Sequence, residues 1–236
     1  MKNVQKKHNN LIIFLKGVVK LQQITMFNFE KYQKIKENID YLGKKTEIIA
    51  ISKNHPLELV ESAILSGLQI FGENRVQEAK SKFEDIKRNN PNIELHLTGS
   101  LQSNKVKQAL NLFDVFHTLD RESLLKEFVK YPEIIKEKNF FIQINTGKET
   151  TKSGVFPEDT KNFLGLCKTY GLKNIDGLMC IPPINEPPSK HFQIITDLTK
   201  ELGLGRPSIG MSADYIDALD YDPKYIRLGT ILFGKR

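Results

Sequence analysis

The most constraining feature of this sequence is an alternation of eight short, β-favouring apolar runs with stretches of helical periodicity. Strands separated by helices form parallel βα units, since a parallel connection is too long for a hairpin turn. Eight such units without a break in composition predict a closed (β/α)8 TIM barrel. An open doubly wound sheet is the alternative. The predicted strands are Ile48–Ser52, Gln69–Gly72, Glu94–Gly99, Val115–Leu119, Phe140–Asn145, Ile175–Ile181, Pro207–Met211 and Tyr225–Leu228.

The helical stretches fit between these strands. A chain of 236 residues is long enough for one barrel and needs no second domain. Apolar residues spaced three and four apart also predict an amphipathic helix from Phe27 to about Leu42, ahead of the first strand. The other predicted helices lie near Leu57–Ser66, Val76–Arg88, Asn104–Asn111, Ser123–Glu137, Pro157–Tyr170, Ser189–Leu202 and Ala213–Leu219.

The basic character of the chain belongs to its first 25 residues. They hold five lysines and no acid, so they supply +5 of the net charge of +7 and leave +2 for residues 26–236. A nearly neutral domain without basic, aromatic-interleaved motifs predicts no nucleic-acid partner. The apolar run Leu11–Leu15 is too short to span a membrane. We therefore interpret residues 1–25 as a disordered or mis-annotated extension, with Met26 as the start, and residues 26–236 as the barrel.

Cysteine usage indicates the compartment. The two cysteines, Cys167 and Cys180, have no CxxC partner and no histidine-rich neighbourhood. This pattern disfavours a zinc site or a disulfide framework and fits a reducing compartment. We expect a cytoplasmic protein.

A lysine follows the first predicted strand. Lys53 comes directly after Ser52 and just before Asn54-His55-Pro56. This places the Lys53 amine at the carboxyl end of a βα unit, where catalytic groups of barrels gather. There an amine can act as a nucleophile, for example towards an aldehyde such as pyridoxal phosphate. The alternative is a lysine that ends its strand by reaching water.

The last two strand ends favour a phosphate site. Ser212 follows the seventh strand, just before a helix predicted to begin near Ala213, and Gly229-Thr230 forms a turn after the eighth strand. Free N–H groups at helix N-termini bind phosphate, and barrels often bind it at these two loops. The alternative is that Ser212 only caps the helix and Gly229 only forms a turn.

Taken together and in order, seven motifs resemble those of a known family. The sequence is similar to the pyridoxal phosphate homeostasis proteins, which are single-domain relatives of the alanine racemase barrel. The resemblance extends from Lys45 to Gly234. Its motifs are Ala50–Lys53, Phe71–Glu78, His96–Lys105, Lys152–Gly154, Gly177–Met179, Gly210–Ser212 and Arg227–Gly234.

The resemblance implies a cofactor, pyridoxal 5′-phosphate, bound to Lys53 as a Schiff base. It implies that Arg227 faces the pyridine nitrogen; a guanidinium only donates hydrogen bonds, so the ring would be a weak electron sink. It also implies that Lys152 lies near the phenolic oxygen, with a solvated loop lysine as the alternative. The remaining cofactor-binding residues implied are Ser212, Gly229 and Thr230, which would hold the phosphate, and Met211 and Asn74. For Asn74 and for His96, which also lies on a matching motif, the alternative is a buried hydrogen bond at a strand end without any ligand.

The function implied by this resemblance is to carry and buffer the cofactor for vitamin B6 homeostasis. Expected partners are the cofactor, apo-enzymes that depend on it and enzymes of the pyridoxal kinase or oxidase type, with the protein itself a monomer. The enzyme alternative is an amino-acid racemase, which needs an acid/base on each face of the cofactor. Alanine racemase takes the second base from a separate domain, and this chain ends at Arg236. A barrel for another phosphate ligand is a third possibility.

Overall fold

The computed structural model describes residues 27–235. Their core is a closed barrel of eight parallel strands in sequential order, β1 to β8. The predicted (β/α)8 barrel is confirmed, and the open doubly wound sheet is excluded. The strands are β1 Glu47–Ile51, β2 Ile70–Glu73, β3 Glu94–Leu97, β4 Val115–Leu119, β5 Asn139–Ile144, β6 Ile175–Cys180, β7 Ser208–Met211 and β8 Tyr225–Leu228.

Helices connect the strands and cover the outside of the barrel. The helix predicted ahead of β1 is present, and the side chain of Asn28 caps it by accepting a hydrogen bond from the Lys31 N–H at 2.9 Å. The helices are α1 Phe29–Tyr41, α2 Leu57–Leu65, α3 Val76–Asn89, α4 Val106–Leu110, α5 Glu122–Phe128, α6 Pro132–Ile135, α7 Thr160–Thr169, α8 Pro188–Glu201, α9 Tyr215–Leu219 and α10 Thr230–Phe233.

The barrel closes where β1 pairs with β8. In this parallel pair, Ile49 lies opposite Arg227 and Ala50 opposite Leu228. Closure therefore brings the first strand of the barrel beside the last, although 178 residues separate Ile49 from Arg227 in the sequence. At their carboxyl ends, the segment after β1 leaves the barrel alongside the segment after β8.

Side chains of each strand alternate between the interior of the barrel and the helices outside it. Ile49 and Ile51 of β1 pack inside with Phe141, Met179 and Tyr225. The intervening Ile48 and Ala50 belong to the larger outer core beneath the helices. This alternation fixes which residues at each strand end can reach the opening.

Several helix predictions differ from the structure in detail, and two of the differences have a local cause. The helix predicted for Ser123–Glu137 is two helices, α5 and α6, because Pro132 starts a new helix and Tyr131 before it takes an extended φ of −123°. The helix predicted near Ala213 begins at Tyr215, so Ser212 does not cap it.

The predicted extension 1–25 lies outside the described residues and stays a prediction. Within residues 27–235, no helix is long and apolar enough to cross a membrane.

Candidate functional site at the carboxyl end of the barrel

Lys53 lies two residues beyond Ile51, in the turn that follows β1 at the carboxyl end of the barrel. It is half-buried, between the fully buried Ser52 and the exposed Asn54. Lys53 therefore borders the opening at the carboxyl ends of the strands. We call this opening the carboxyl mouth and define it by Lys53, Asn74, Ser212, Arg227 and Gly229.

The loops after β7 and β8 meet at the carboxyl mouth. The Gly229 N–H donates a hydrogen bond to Ser212 Oγ at 3.2 Å, which joins the two predicted phosphate loops directly. The Met211 N–H donates to Asp214 Oδ1 at 2.5 Å, so this backbone donor is already used. Thr230 begins α10 and is exposed. The Ser212 hydroxyl proton is not used in the bond from Gly229, so it can serve a ligand.

Arg227 lies at the base of the carboxyl mouth and is buried. Its Nη1 donates to both the carbonyl and the hydroxyl oxygen of Ser208, each at 2.8 Å, and its Nη2 donates to the Cys180 carbonyl at 2.8 Å. Burial lowers the pKa of Arg227, yet a guanidinium stays charged at any physiological pH. These bonds hold a permanent positive charge on β8. Among residues 27–235, none accepts a hydrogen bond from the Arg227 Nε–H.

The two other predicted site residues differ in their surroundings. Asn74, just after β2, accepts a hydrogen bond from Thr98 Oγ1 at 3.0 Å and keeps its amide N–H groups for other partners. Lys152 is exposed in the loop after β5, where its carbonyl accepts a bond from Asn145 Nδ2 at 3.3 Å. The structure thus ties Asn74 to the neighbouring strand end, and the role of Lys152 stays a prediction.

A buried ionic cluster lies behind Lys53, between the outside of the barrel and α3. Glu73 of β2 is fully buried and accepts a hydrogen bond from Ser52 Oγ at 2.7 Å. Lys82 of α3 donates to Glu73 Oε1 at 3.1 Å and to the Ser52 carbonyl oxygen at 2.8 Å. Burial raises the pKa of Glu73, although Lys82 and Ser52 act in the opposite direction.

The same cluster also bonds to the backbone of Asn54, the residue after Lys53. Lys82 donates to Glu78 Oε1 at 2.6 Å, and that oxygen also accepts the Asn54 N–H at 2.5 Å. Burial alone would raise the pKa of Glu78, but the bonds from Lys82 and Asn54 outweigh it and lower the pKa. Asn54 has a left-handed φ of +59°, so the chain turns sharply directly after Lys53. We call Ser52, Glu73, Glu78 and Lys82 the α3 clamp.

A second polar cluster lies deeper, inside the barrel. His96 Nδ1 and His117 Nε2 are 2.8 Å apart, and His96 Nε2 is 2.5 Å from Glu94 Oε1. The His117 ring stacks on Phe141 at 4.7 Å and meets Tyr225 edge-on at 5.7 Å. Burial, and then the positive charges nearby, hold the pKa of His117 well below its usual value, so this imidazole is neutral. We call these five residues the histidine layer.

Sequence reasoning missed the α3 clamp and the anchors of Arg227. The Glu78–Lys82 pair at positions i and i+4 was visible as a helix-surface ion pair. Nothing in the sequence indicated that Lys82 also reaches the Ser52 carbonyl, 30 residues away. For His96, the alternative of a buried, hydrogen-bonded strand residue without a ligand agrees with its place in the histidine layer.

Comparison with known sequences gives a consistent set of relatives. The model of the alanine racemase N-terminal domain family matches residues 31–236. A pyridoxal phosphate homeostasis protein of Aquifex aeolicus is 35% identical over 221 residues, which cover 88% of this chain and 94% of that protein. A protein of the same name from Schizosaccharomyces pombe is 35% identical over 209 residues, covering 82% of this chain and 86% of that protein.

Solved structures give the same result. PipY of Synechococcus elongatus, solved with pyridoxal phosphate bound, is 30% identical with a TM-score of 0.74 and covers 87% of this chain and 99% of that one. Alanine racemase from Acinetobacter baumannii has a TM-score of 0.69 at 14% identity, covering 89% of this chain and 63% of that one. The second likeness concerns the fold alone.

Proposed function

The chain belongs to the pyridoxal phosphate homeostasis protein family, and on that premise we propose that it binds pyridoxal 5′-phosphate at the carboxyl mouth and buffers it in the cell. The observation that carries the proposal is the closure of β1 on β8. Closure brings the strand end that carries Lys53 beside the turn at Gly229, and the Gly229 N–H is bonded to Ser212. An amine and phosphate-type donors thus follow three consecutive strands.

The residues of the carboxyl mouth fit this cofactor. Lys53 would hold it covalently through the ε-amine. Ser212, through its hydroxyl, and Gly229, through its backbone N–H, would hold the phosphate, with the exposed Thr230 beside them. A phosphate oxygen accepts bonds more strongly than a hydroxyl, so it would displace Ser212 as the acceptor for Gly229. Asn74, at the end of β2, has amide N–H groups that its bond with Thr98 leaves unused.

Arg227 disfavours reactions that need the cofactor as a strong electron sink. When bound, the cofactor supplies a reactive aldehyde and an electron-withdrawing ring. Arg227 would meet the ring with an N–H that is not yet used, that of Nε or the second one of Nη2, since Nη1 bonds twice to Ser208 and Nη2 bonds once to Cys180. A guanidinium donor leaves a ring nitrogen unprotonated and weakens its electron withdrawal. The site would hold the cofactor and discourage turnover of amino acids.

The test is absorption spectroscopy of the purified protein with added pyridoxal phosphate, before and after borohydride. We expect a visible band that reduction removes, and a phosphopyridoxyl group on Lys53 by peptide mass spectrometry. Lys53→Ala should lose both signals. Lys161→Ala removes an exposed lysine from α7 and should keep both. A parent protein without the band, even with excess ligand, would contradict the proposal.

Transfer and turnover are separated by two further measurements. A carrier should pass its cofactor to an apo-enzyme that needs it, seen as activation of that enzyme by the loaded protein in a limiting amount. It should leave L-alanine unchanged by chiral chromatography over the same period. Saturable epimerisation would instead favour a racemase.

We further propose that the protein acts as a cytoplasmic monomer. Its partners would be apo-enzymes that use the cofactor and enzymes of the pyridoxal kinase or oxidase type that supply it. Both cysteines of the described range are unpaired and buried, which fits a reducing compartment. Sedimentation at several concentrations, with and without a client apo-enzyme, tests the oligomeric state and the association together.

A further inference from the structure

We propose that the α3 clamp is a positioning device for Lys53, with Lys82 and Glu78 as positioning residues that hold the peptide on both sides of the reactive lysine. The inference rests on the proposed function for the identity of the ligand. Its geometry stands on the contacts of Ser52, Asn54, Glu78 and Lys82 alone.

The two ties bracket Lys53. On its amino side, Lys82 Nζ donates to the carbonyl oxygen of Ser52, which is part of the peptide bond to Lys53. On its carboxyl side, the Asn54 N–H, part of the next peptide bond, donates to Glu78 Oε1. Lys82 and Glu78 are themselves bonded at 2.6 Å, so one ion pair on α3 fixes both peptides.

The turn after Lys53 makes such a restraint necessary. Asn54 adopts a left-handed φ of +59°, which costs a non-glycine residue free energy and persists when the surroundings hold it. Because this turn decides where Lys53 leaves the strand, its release would let the amine move away from the carboxyl mouth. Two contacts hold the turn: the His55 N–H donates to the Ser52 carbonyl oxygen at 3.1 Å, and the Asn54 N–H donates to Glu78 Oε1.

Stability alone does not account for the cluster. The side chain of Glu73 is 0% exposed and that of Lys82 9% exposed, and apolar residues of similar size often replace such buried pairs without loss. The pKa of Glu73 is raised, so the pair only partly compensates the burial of the carboxylate. A buried pair of this kind is best explained by the orientation it imposes, here on the Lys53 peptide.

The α3 helix supplies a matched control. Lys80 and Glu84 form another i, i+4 pair on α3, 3.7 Å apart, with both side chains half-exposed. The variants are Lys82→Met, which removes the bonds of Lys82 to Ser52, Glu73 and Glu78, and Glu78→Ala, which removes the acceptor for Asn54. Glu78→Gln retains an acceptor oxygen for the Asn54 N–H, and Lys80→Met removes a charge from α3 without touching the β1 end.

The first readout uses the protein without cofactor. Amide hydrogen exchange of a peptide spanning residues 52–56 should accelerate in Lys82→Met and Glu78→Ala, and stay near the parent rate in Glu78→Gln and Lys80→Met. The rate at which acetic anhydride modifies Lys53, followed by mass spectrometry, should change in the same two variants. Unchanged exchange and unchanged Lys53 reactivity in both would overturn the inference.

The second readout is the rate at which each variant develops the borohydride-sensitive visible band with pyridoxal phosphate. We expect a decrease of about 10-fold to 100-fold in Lys82→Met and Glu78→Ala, as small misplacements of reacting groups produce. Near-parental rates in Glu78→Gln would show rescue by the retained acceptor. If Lys82→Met does not fold, the result for Glu78→Ala decides whether the inference holds. Glu78 is partly exposed, so its replacement disturbs the core less.

The failure of one proposal is distinguishable from the failure of the other. A parent protein that forms no band refutes the proposed function. Hydrogen exchange and acetylation then still test whether the α3 clamp positions Lys53. A parent that forms the band, with Lys82→Met and Glu78→Ala forming it at the same rate, refutes the clamp alone.

Discussion

At the carboxyl mouth, the polar side chains bond mainly to backbone groups, whereas in the histidine layer they bond to one another. Arg227 is anchored on the carbonyls of Ser208 and Cys180, and Ser212 on the Gly229 N–H. In the histidine layer, His96 bonds to His117 on one side and to Glu94 on the other.

This difference separates a binding surface from a structural core. Side chains bonded to backbone are fixed in place and keep donors for a ligand, as the Ser212 hydroxyl and the Arg227 Nε–H do. In the histidine layer the side chains bond to one another and pack against Phe141 and Tyr225, so they fill the barrel, and burial keeps the His117 ring neutral. The following variants test that division.

The largest effect is expected for Gly210→Ala beside the carboxyl mouth. Gly210 has a φ of +89°, and a Cβ there would lie 2.6 Å from the Ala218 Cβ. Strain and crowding together should lower the free energy of unfolding by roughly 2–4 kcal/mol, measured by urea denaturation. Gly171→Ala is the control, with a φ of +85° and nothing within 4 Å. It should lose only about 1 kcal/mol, and equal losses would show that crowding at Gly210 is unimportant.

Next is Ser212→Ala, which removes a donor without disturbing the core. We expect about 10-fold weaker binding of pyridoxal phosphate and nearly unchanged binding of pyridoxal, which lacks the phosphate. Absorbance titrations measure both. Ser100→Ala, at an exposed serine after β3, is the control and should leave both affinities near the parent values. Equal weakening for the two ligands would argue against a phosphate contact at Ser212.

For the histidine layer, His117→Gln should reduce the sensitivity of folding to acid. Because the folded protein holds His117 neutral, the unfolded chain binds more protons below the ordinary pKa of 6.5. The free energy of unfolding therefore falls as pH drops below that value, by up to about 1.4 kcal/mol per pH unit from this residue. Glutamine still bonds to His96 and does not titrate. Denaturation at pH 7.5 and 5.5 should give a smaller difference in the variant, and an equal difference would contradict the assignment.

The smallest effect is expected for Glu73→Gln in the α3 clamp. Because the pKa of Glu73 is raised, the stability it contributes is full below pH 4.5 and is lost as pH rises through the raised value. Glutamine is neutral at every pH and still accepts the Ser52 hydroxyl. We expect a change within about 1 kcal/mol at pH 7 by denaturation.

Glu84→Gln, at an exposed position on α3, is the control for Glu73→Gln. It should change the free energy of unfolding by less than about 0.5 kcal/mol. A loss above about 3 kcal/mol in Glu73→Gln alone would mean that the buried carboxylate stabilises the fold directly.

The parts of the site that could be predicted are those fixed by position along a strand. Lys53, Ser212 and Gly229 each follow a strand whose apolar run is visible in the sequence, and strand ends of parallel units meet at one edge. Two of the helix errors have local causes. Pro132 is a breaker inside an otherwise helical pattern, and Asp214 takes the Met211 N–H, so α9 starts later than predicted.

The sequence by itself determined the eightfold alternation, the barrel and the lysine at the end of β1, because periodicity and strand ends depend on neighbouring residues. Only the tertiary structure decided that Lys82 holds the Ser52 carbonyl and that His96 meets His117 inside the barrel. Those contacts depend on register and on how α3 lies against β1 and β2. The physical reason is that hydrogen bonds between distant segments are chosen by packing, which no local pattern encodes.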